Sequence, residues 1–143
     1  MISESPRLDP PKLAFRNRGD LTFENASEAW GFNSRRIVHG MAVGDLDGHG
    51  DLEVVGNAVN SGPLIYQNNS SKPRIAVRLR GRPPNTQGIG ARVVLRASGF
   101  NQMQEILAGG RYLSGDQAMR TFAVPDQPGP MTLEVIWRGG KRS

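Results

Sequence analysis

Potential metal ligands recur at every second position of one short stretch. They are Asp45, Asp47, His49, Asp51 and Glu53. Calcium takes six to eight oxygen ligands, and a short loop can supply them if carboxylates alternate along the chain and a glycine permits a sharp bend. Gly50 stands at the position where such a loop needs that bend. The spacing therefore predicts a calcium-binding loop.

One position of this loop departs from an all-oxygen ligand set. In the predicted register, Asp45, Asp47, His49 and Glu53 provide side-chain ligands, and Asp51 provides its backbone carbonyl. Imidazole is a poor ligand for calcium and a better one for softer metals. The alternatives are therefore weak calcium binding, binding of another divalent ion, or a decayed site held by hydrogen bonds. An acidic turn without an ion is disfavoured because crowded carboxylates repel one another.

Two short apolar segments must position the loop. Residues 41–43 precede it and residues 52–55 follow it, and both are too short to form helices. The pattern thus predicts a strand–loop–strand site. An EF-hand would need flanking helices and a glutamate further along the chain.

The composition predicts an all-β chain. Its 143 residues include 18 Gly and 10 Pro, which favour turns over helices, and only residues 24–30 tolerate a helix. The absence of cysteine excludes disulfides, thiolate nucleophiles and cysteine–zinc sites. No apolar stretch is long enough to form a membrane-spanning helix, so no membrane insertion is expected.

The charge is distributed unevenly along the chain. Residues 1–71 hold 6 basic and 9 acidic residues, whereas residues 72–143 hold 12 basic and 4 acidic residues. This break and the turn-rich residues 68–73 predict two units. We therefore divide the chain into a tail (1–12), a first unit (13–71) and a second unit (72–143).

Alternating apolar residues predict short strands in both units. In the first unit, residues 64–68 repeat residues 13–17 position by position, and a period of about 50 residues is typical of β-propeller blades. In the second unit, strands separated by Gly/Pro turns favour a small β-sandwich. Tyr112 is expected among the core aromatic residues. The residues expected to face inward are Ile75, Val77, Leu79, Ala91, Val93, Leu95, Leu133, Val135 and Trp137.

The first unit resembles a known repeat. Residues 40–57 read GMAVGDLDGHGDLEVVGN, which is similar to the FG-GAP/VCBS repeat of β-propeller proteins. Residues 13–17 and 22–23 are similar to the strand that opens such a repeat. The resemblance implies a propeller-blade-like hairpin unit with a calcium loop.

The second unit resembles the ASPIC/UnbV domain. The similar segments are VRLRG (77–81), GIGARV (88–93), GGRYLS (109–114) and LEVIW (133–137). The chain departs from the family pattern at FAVP (122–125) and WRGG (137–140), which affects turns more than the fold. That domain typically follows FG-GAP/VCBS repeats in secreted or surface proteins. The resemblance implies an extracellular, cell-surface or periplasmic location, with any export signal lying outside this sequence.

These features predict a non-catalytic, calcium-binding adhesion or ligand-binding module. The histidines, serines and carboxylates form no recognisable catalytic arrangement, so the chain is not expected to be an enzyme. The alternatives are an accessory domain of a polysaccharide-acting enzyme and a purely structural scaffold. A carbohydrate, another acidic polymer or a protein is the expected partner.

Arginines in the second unit predict an anion-binding face. If residues 74–80 and 91–97 form neighbouring strands, the outward side chains stand together. These are Arg78, Arg80, Arg92 and Arg96. Such a face would bind sulfated or carboxylated polymers or phosphates. Nucleic acid is not expected, because no stacking aromatic residues alternate with the basic ones.

Overall fold

The protein is an all-β chain, as the composition predicts. A computed structural model describes residues 9–127 and 129–143, and within these residues there is no helix. The strands form several small antiparallel sheets, none of which closes into a barrel. Residues 24–30, where the sequence tolerates a helix, form the end of a strand and a turn.

The first half contains a hairpin and a three-stranded sheet. Strands β1 (Phe15–Asn17) and β2 (Phe23–Asn25) pair in the hairpin. The sheet has the order β3–β4–β5 and comprises β3 (Val38–Gly44), β4 (Glu53–Ala58) and β5 (Leu64–Tyr66). One edge of β3 pairs with β4, and its other edge has no strand partner within this sheet.

The second half contains two sheets and a short hairpin. One sheet pairs β6 (Arg74–Arg78) with β11 (Met119–Ala123). The other places β7 (Arg92–Ala97) between β12 (Thr132–Ile136) and β8 (Phe100–Glu105). The hairpin pairs β9 (Gly110–Arg111) with β10 (Ser114–Gly115).

These two sheets pack on each other as a small β-sandwich. Val77 of β6 and Phe122 of β11 form one buried cluster with Val93 and Leu95 of β7, and Ile106 after β8 completes it. Side-chain amides also join the sheets, because Gln104 Nε2 donates to the Thr121 carbonyl at 2.8 Å. The predicted sandwich is confirmed, and its core lies entirely in the second half.

Most of the predicted inward positions are confirmed. Val77, Ala91, Val93 and Leu95 are buried, while Ile75 and Leu79 pack against the core. Val135 is buried as predicted, and Trp137 is partly buried.

Two residues expected inside lie outside. Leu133 is 43% exposed, because it lies on β12, the edge strand of its sheet. A neighbouring strand therefore covers this side chain on one side only. Tyr112 is 74% exposed, because it occupies the turn between β9 and β10 rather than a strand.

The two copies of the predicted repeat differ in their environment. Tyr66, in the second copy, packs its ring 4.3 Å from the ring of Phe32. Its counterpart Phe15, in the first copy, is 56% exposed. The two copies also pair differently, since β1 pairs with β2 and β5 pairs with β4.

Candidate metal centre

The acidic loop closes the hairpin between β3 and β4. Strand β3 ends at Gly44 and β4 begins at Glu53, and these two residues are paired in the register. Apolar flanks therefore form strands on both sides, and the predicted strand–loop–strand arrangement is confirmed.

Glycines give the loop its bends. Gly48 and Gly50 both have φ of 80°, a conformation that side-chain-bearing residues adopt only at a cost. Space is restricted only at Gly50, where an added Cβ would lie 3.2 Å from the Ala76 Cβ of β6. At Gly48 no atom lies within 4 Å of such a Cβ. The loop thus bends at two glycines, and one of them packs on the second half of the chain.

Three of the predicted ligands come together. Asp45, Asp47 and Asp51 each bring an atom capable of binding a metal within 4.8 Å of the others. Asp45 also orders the loop, because its Oδ1 accepts a hydrogen bond from the Gly48 backbone N–H at 2.8 Å. The contribution of Asp51 differs from the prediction, which assigned its backbone carbonyl: the structure brings its carboxylate into the cluster.

The remaining two predicted ligands lie outside this cluster. His49 has a side chain that is 74% exposed, with Nδ1 3.3 Å from Asp47 Oδ2. Glu53 is 2% exposed, and its Oε2 accepts a hydrogen bond from the Leu46 backbone N–H at 2.9 Å. Glu53, which follows the end of the loop, therefore holds the backbone at the start of the loop.

Two buried carboxylate oxygens beside the loop have no hydrogen-bond donor. Among the residues that the structure describes, these are Asp51 Oδ1 and Glu53 Oε1. Asp51 is 5% exposed, and its other oxygen forms an ion pair with Arg74 Nη1. A buried charged oxygen without a partner costs about 1–3 kcal/mol or more, and a cation bound by the cluster would offset that cost at Asp51. The carboxylates therefore fit a hard divalent cation.

The loop and β3 are attached to the second half of the chain. Gln117 is central: its Oε1 accepts from the Asp45 N–H at 2.8 Å, and its own N–H donates to the Val43 carbonyl at 2.9 Å. Asp116 Oδ1 accepts from the Val43 N–H at 2.9 Å. Thr121 Oγ1 donates to the Gly50 carbonyl at 2.9 Å. Residues 114–117 thus cover the open edge of β3.

Sequence reasoning missed these junction residues. Arg74 lies on the face of β6 opposite the core, where it meets Asp51 rather than solvent. Gln117, Asp116 and Thr121 are more than 70 residues from their partners in the loop and β3. No local periodicity reports a contact over that separation.

The geometric premise of the predicted arginine face is wrong. Strand β6 pairs with β11, whereas β7 pairs with β12 and β8, so β6 and β7 are not neighbours. Val94, which lies between the two arginines of β7, is buried. All four predicted arginines are exposed, but they do not share one sheet: one lies in β6, one follows the end of β6, and two lie in β7. They are Arg78, Arg80, Arg92 and Arg96.

Two of these arginines already have acidic partners. Arg96 Nη1 lies 2.7 Å from Glu134 Oε2, and Arg142 Nη1 lies 2.7 Å from Glu134 Oε1. The hydrogen bond from Arg96, followed by that from Arg142, holds the pKa of the Glu134 carboxyl below its ordinary value. Arg92 lies 4.0 Å from Glu105. The positive charge of this surface is therefore partly neutralised within the fold.

Comparison with known families supports part of the sequence interpretation. The family model described as ASPIC and UnbV matches residues 81–143, which include strands β7 to β12. The FG-GAP/VCBS resemblance of residues 13–71 has no such support. No curated protein and no solved structure matches the chain significantly. No helix in the described residues is long and apolar enough to cross a membrane.

Proposed function

We propose that the chain is a non-catalytic, calcium-binding module that binds a ligand or mediates adhesion outside the cytoplasm. The observation that carries the calcium part is the carboxylate cluster of Asp45, Asp47 and Asp51 beside two buried carboxylate oxygens without donors. The match of residues 81–143 to an accessory domain supports the binding part.

Calcium at this loop would have a structural role. Asp45, Asp47 and Asp51 would hold the ion, which would neutralise their mutual repulsion and leave the loop in one conformation. The protein's own contacts extend that effect, because the backbone of the loop is hydrogen-bonded to Gln117 and Thr121. Calcium would therefore stabilise the junction between the two halves as well as the loop.

The environment of Ser114 gives this serine a structural role. A serine nucleophile needs a general base within hydrogen-bond reach. Ser114 Oγ instead contacts the backbone of Met41, where its hydroxyl donates to the carbonyl. This serine is thus occupied in attaching residues 114–117 to the edge of β3.

Thermal unfolding in millimolar calcium and in chelator tests the calcium site. A ligand that binds only the native state at a hundredfold excess over Kd stabilises by roughly 2.7 kcal/mol, or about 6–10 °C for a chain of this size. Asp47→Asn should reduce the shift, because it removes one negative charge from the ligand set. Asp47 is exposed, so the amide replacement leaves the core unchanged.

The matched control is Asp126→Asn, which removes one exposed carboxylate from the second half of the chain. It should retain the full calcium shift. Equal melting temperatures of the wild-type protein in calcium and in chelator would refute the calcium site. A shift with zinc or nickel but not with calcium would replace calcium by a softer metal.

A further inference from the structure

A surface cavity at one end of the sandwich collects unpaired positive charge around an aromatic side chain. It has a volume of about 350 Å³ and is lined by Arg80, Gly81, Arg82, Trp137, Lys141 and Ser143. Ligand pockets commonly have volumes of about 300–1,000 Å³. No carboxylate side chain lines this cavity.

Within the described part of the chain, the cations that line this cavity lack acidic partners, whereas several other arginines of the second half have them. Arg74, Arg92, Arg96, Arg111 and Arg142 each pair with a carboxylate. Within residues 9–127 and 129–143, no acidic side chain forms an ion pair with any of the three cations of the cavity. These are Arg80, Arg82 and Lys141. No acidic side chain that the structure describes therefore neutralises these three cations, which are available to an anion.

Two fixed turns hold the backbone beside these cations in place. Gly81 donates its N–H to the Thr86 carbonyl at 2.8 Å, and a Cβ added at Gly81 would lie 2.2 Å from the Asn85 carbonyl oxygen. On the other side, the Trp137 N–H donates to the Lys141 carbonyl at 2.8 Å. Because backbone contacts set both turns, the backbone of the site needs little ordering when a ligand binds, and the ordering cost falls on the cationic side chains.

The aromatic wall restricts the class of ligand. Trp137 is partly buried, and its Nε1 donates to Ser143 Oγ at 3.0 Å, which fixes the indole ring. An indole offers a large apolar surface to a flat partner, whereas guanidinium groups hold carboxylates and sulfates with paired hydrogen bonds. A ligand that uses both features carries an anionic group on a ring with an apolar face.

We propose that this cavity binds an anionic sugar residue, that is, a sugar ring bearing a carboxylate or a sulfate. The cavity is separate from the acidic loop and shares no lining residue with it. The proposal therefore goes beyond the calcium site, and binding is expected in chelator as well as in calcium.

Isothermal titration with four probes tests the ligand class. The probes are an oligogalacturonate, a heparin-derived hexasaccharide, neutral cellohexaose and a short polyphosphate. At least one acidic sugar should bind, and comparison of the two identifies whether the carboxylate or the sulfate is preferred. Cellohexaose should not bind, and polyphosphate should bind at least tenfold more weakly than the preferred sugar. Equal affinity for polyphosphate, or binding of cellohexaose, would overturn the proposal.

A matched pair of double variants tests the location. Arg80→Gln with Arg82→Gln removes two cations from the cavity, and Arg78→Gln with Arg92→Gln removes two exposed cations elsewhere. The first variant should weaken acidic-sugar binding about tenfold or more for each cation lost. The second should weaken it less than threefold. Equal loss in both variants would indicate unspecific attraction by net charge and would overturn the cavity site.

Discussion

Replacing Gly50 by alanine should separate the packing of the acidic loop from its backbone strain. Gly50 and Gly48 have the same φ of 80°. An added Cβ at Gly50 would lie 3.2 Å from the Ala76 Cβ, whereas a Cβ at Gly48 would meet no atom within 4 Å. Gly48→Ala therefore measures the strain alone, and Gly50→Ala measures the strain together with the contact to β6.

The magnitude follows from these two terms. A left-handed conformation costs a side-chain-bearing residue about 1–2 kcal/mol, and this cost applies to both variants. The Cβ contact of 3.2 Å at Gly50 is a few tenths of an ångström too short and involves Ala76, which has no flexible end to move. Overpacking at such a place costs about 1–3 kcal/mol. Gly50→Ala should thus destabilise the protein by about 1 kcal/mol more than Gly48→Ala.

Urea unfolding of the two variants measures this difference directly. Replacing glycine by alanine also lowers the conformational entropy of the unfolded chain. This effect is the same in both variants and cancels in the difference between their free energies of unfolding. In a double-mutant cycle, Gly50→Ala should cost about 1 kcal/mol less in a protein that already carries Ala76→Gly than in the wild type, because the opposing Cβ is then absent. If Gly50→Ala and Gly48→Ala are equally stable, or if Gly50→Ala costs the same in both backgrounds, the loop does not pack on β6 as described.

Three further changes test other parts of the site. Arg74→Gln should lower the stability in chelator more than in calcium, because it leaves the buried Asp51 carboxylate without its cation; equal losses in urea unfolding would contradict this. His49→Asp should tighten calcium binding in a titration, since it adds a hard oxygen ligand to the loop; unchanged affinity would place this position outside the coordination shell. Glu134→Gln should destabilise at neutral pH. Because the native pKa of Glu134 is lowered, its contribution is complete above its unfolded pKa and is lost as pH falls through the native value. The difference from wild type should therefore vanish in acid, and a difference constant over pH would refute the ion-pair explanation.

Local sequence patterns were sufficient for the strands of the sandwich. The alternation at Val77, Val93 and Leu95 correctly located the core face. It did not predict that Val94, on the opposite face of β7, is buried as well. The same rule failed at Leu133, since alternation gives the direction of a side chain but not whether a neighbouring strand covers it. The periodicity of the sequence could not predict the register or the order of the strands.

The candidate metal site could be located from sequence, but its ligands could be assigned only in part. Alternating carboxylates and glycines are local features, and the loop lies where they predicted it. The role of the Asp51 carboxylate depends on Arg74, which belongs to a different sheet. The arginine face failed for the same reason, because it required β6 and β7 to be neighbours and their pairing is a long-range property.

The distribution of buried residues explains why the acidic loop matters to the first half of the chain. Among residues 9–71, the buried hydrophobic side chains are Ala26 and Ala58, which offer little apolar area. The buried polar residues of the described chain all lie in this half as well, namely Ser27, Asp51 and Glu53. A sheet with so small an apolar core depends on its polar contacts, and burial strengthens these contacts only when they are satisfied. Two of the buried carboxylate oxygens have no donor in the described residues. A cation at the loop would therefore act where this half has least other stabilisation, and the hydrogen bonds of Gln117 and Thr121 would extend its effect to the sandwich.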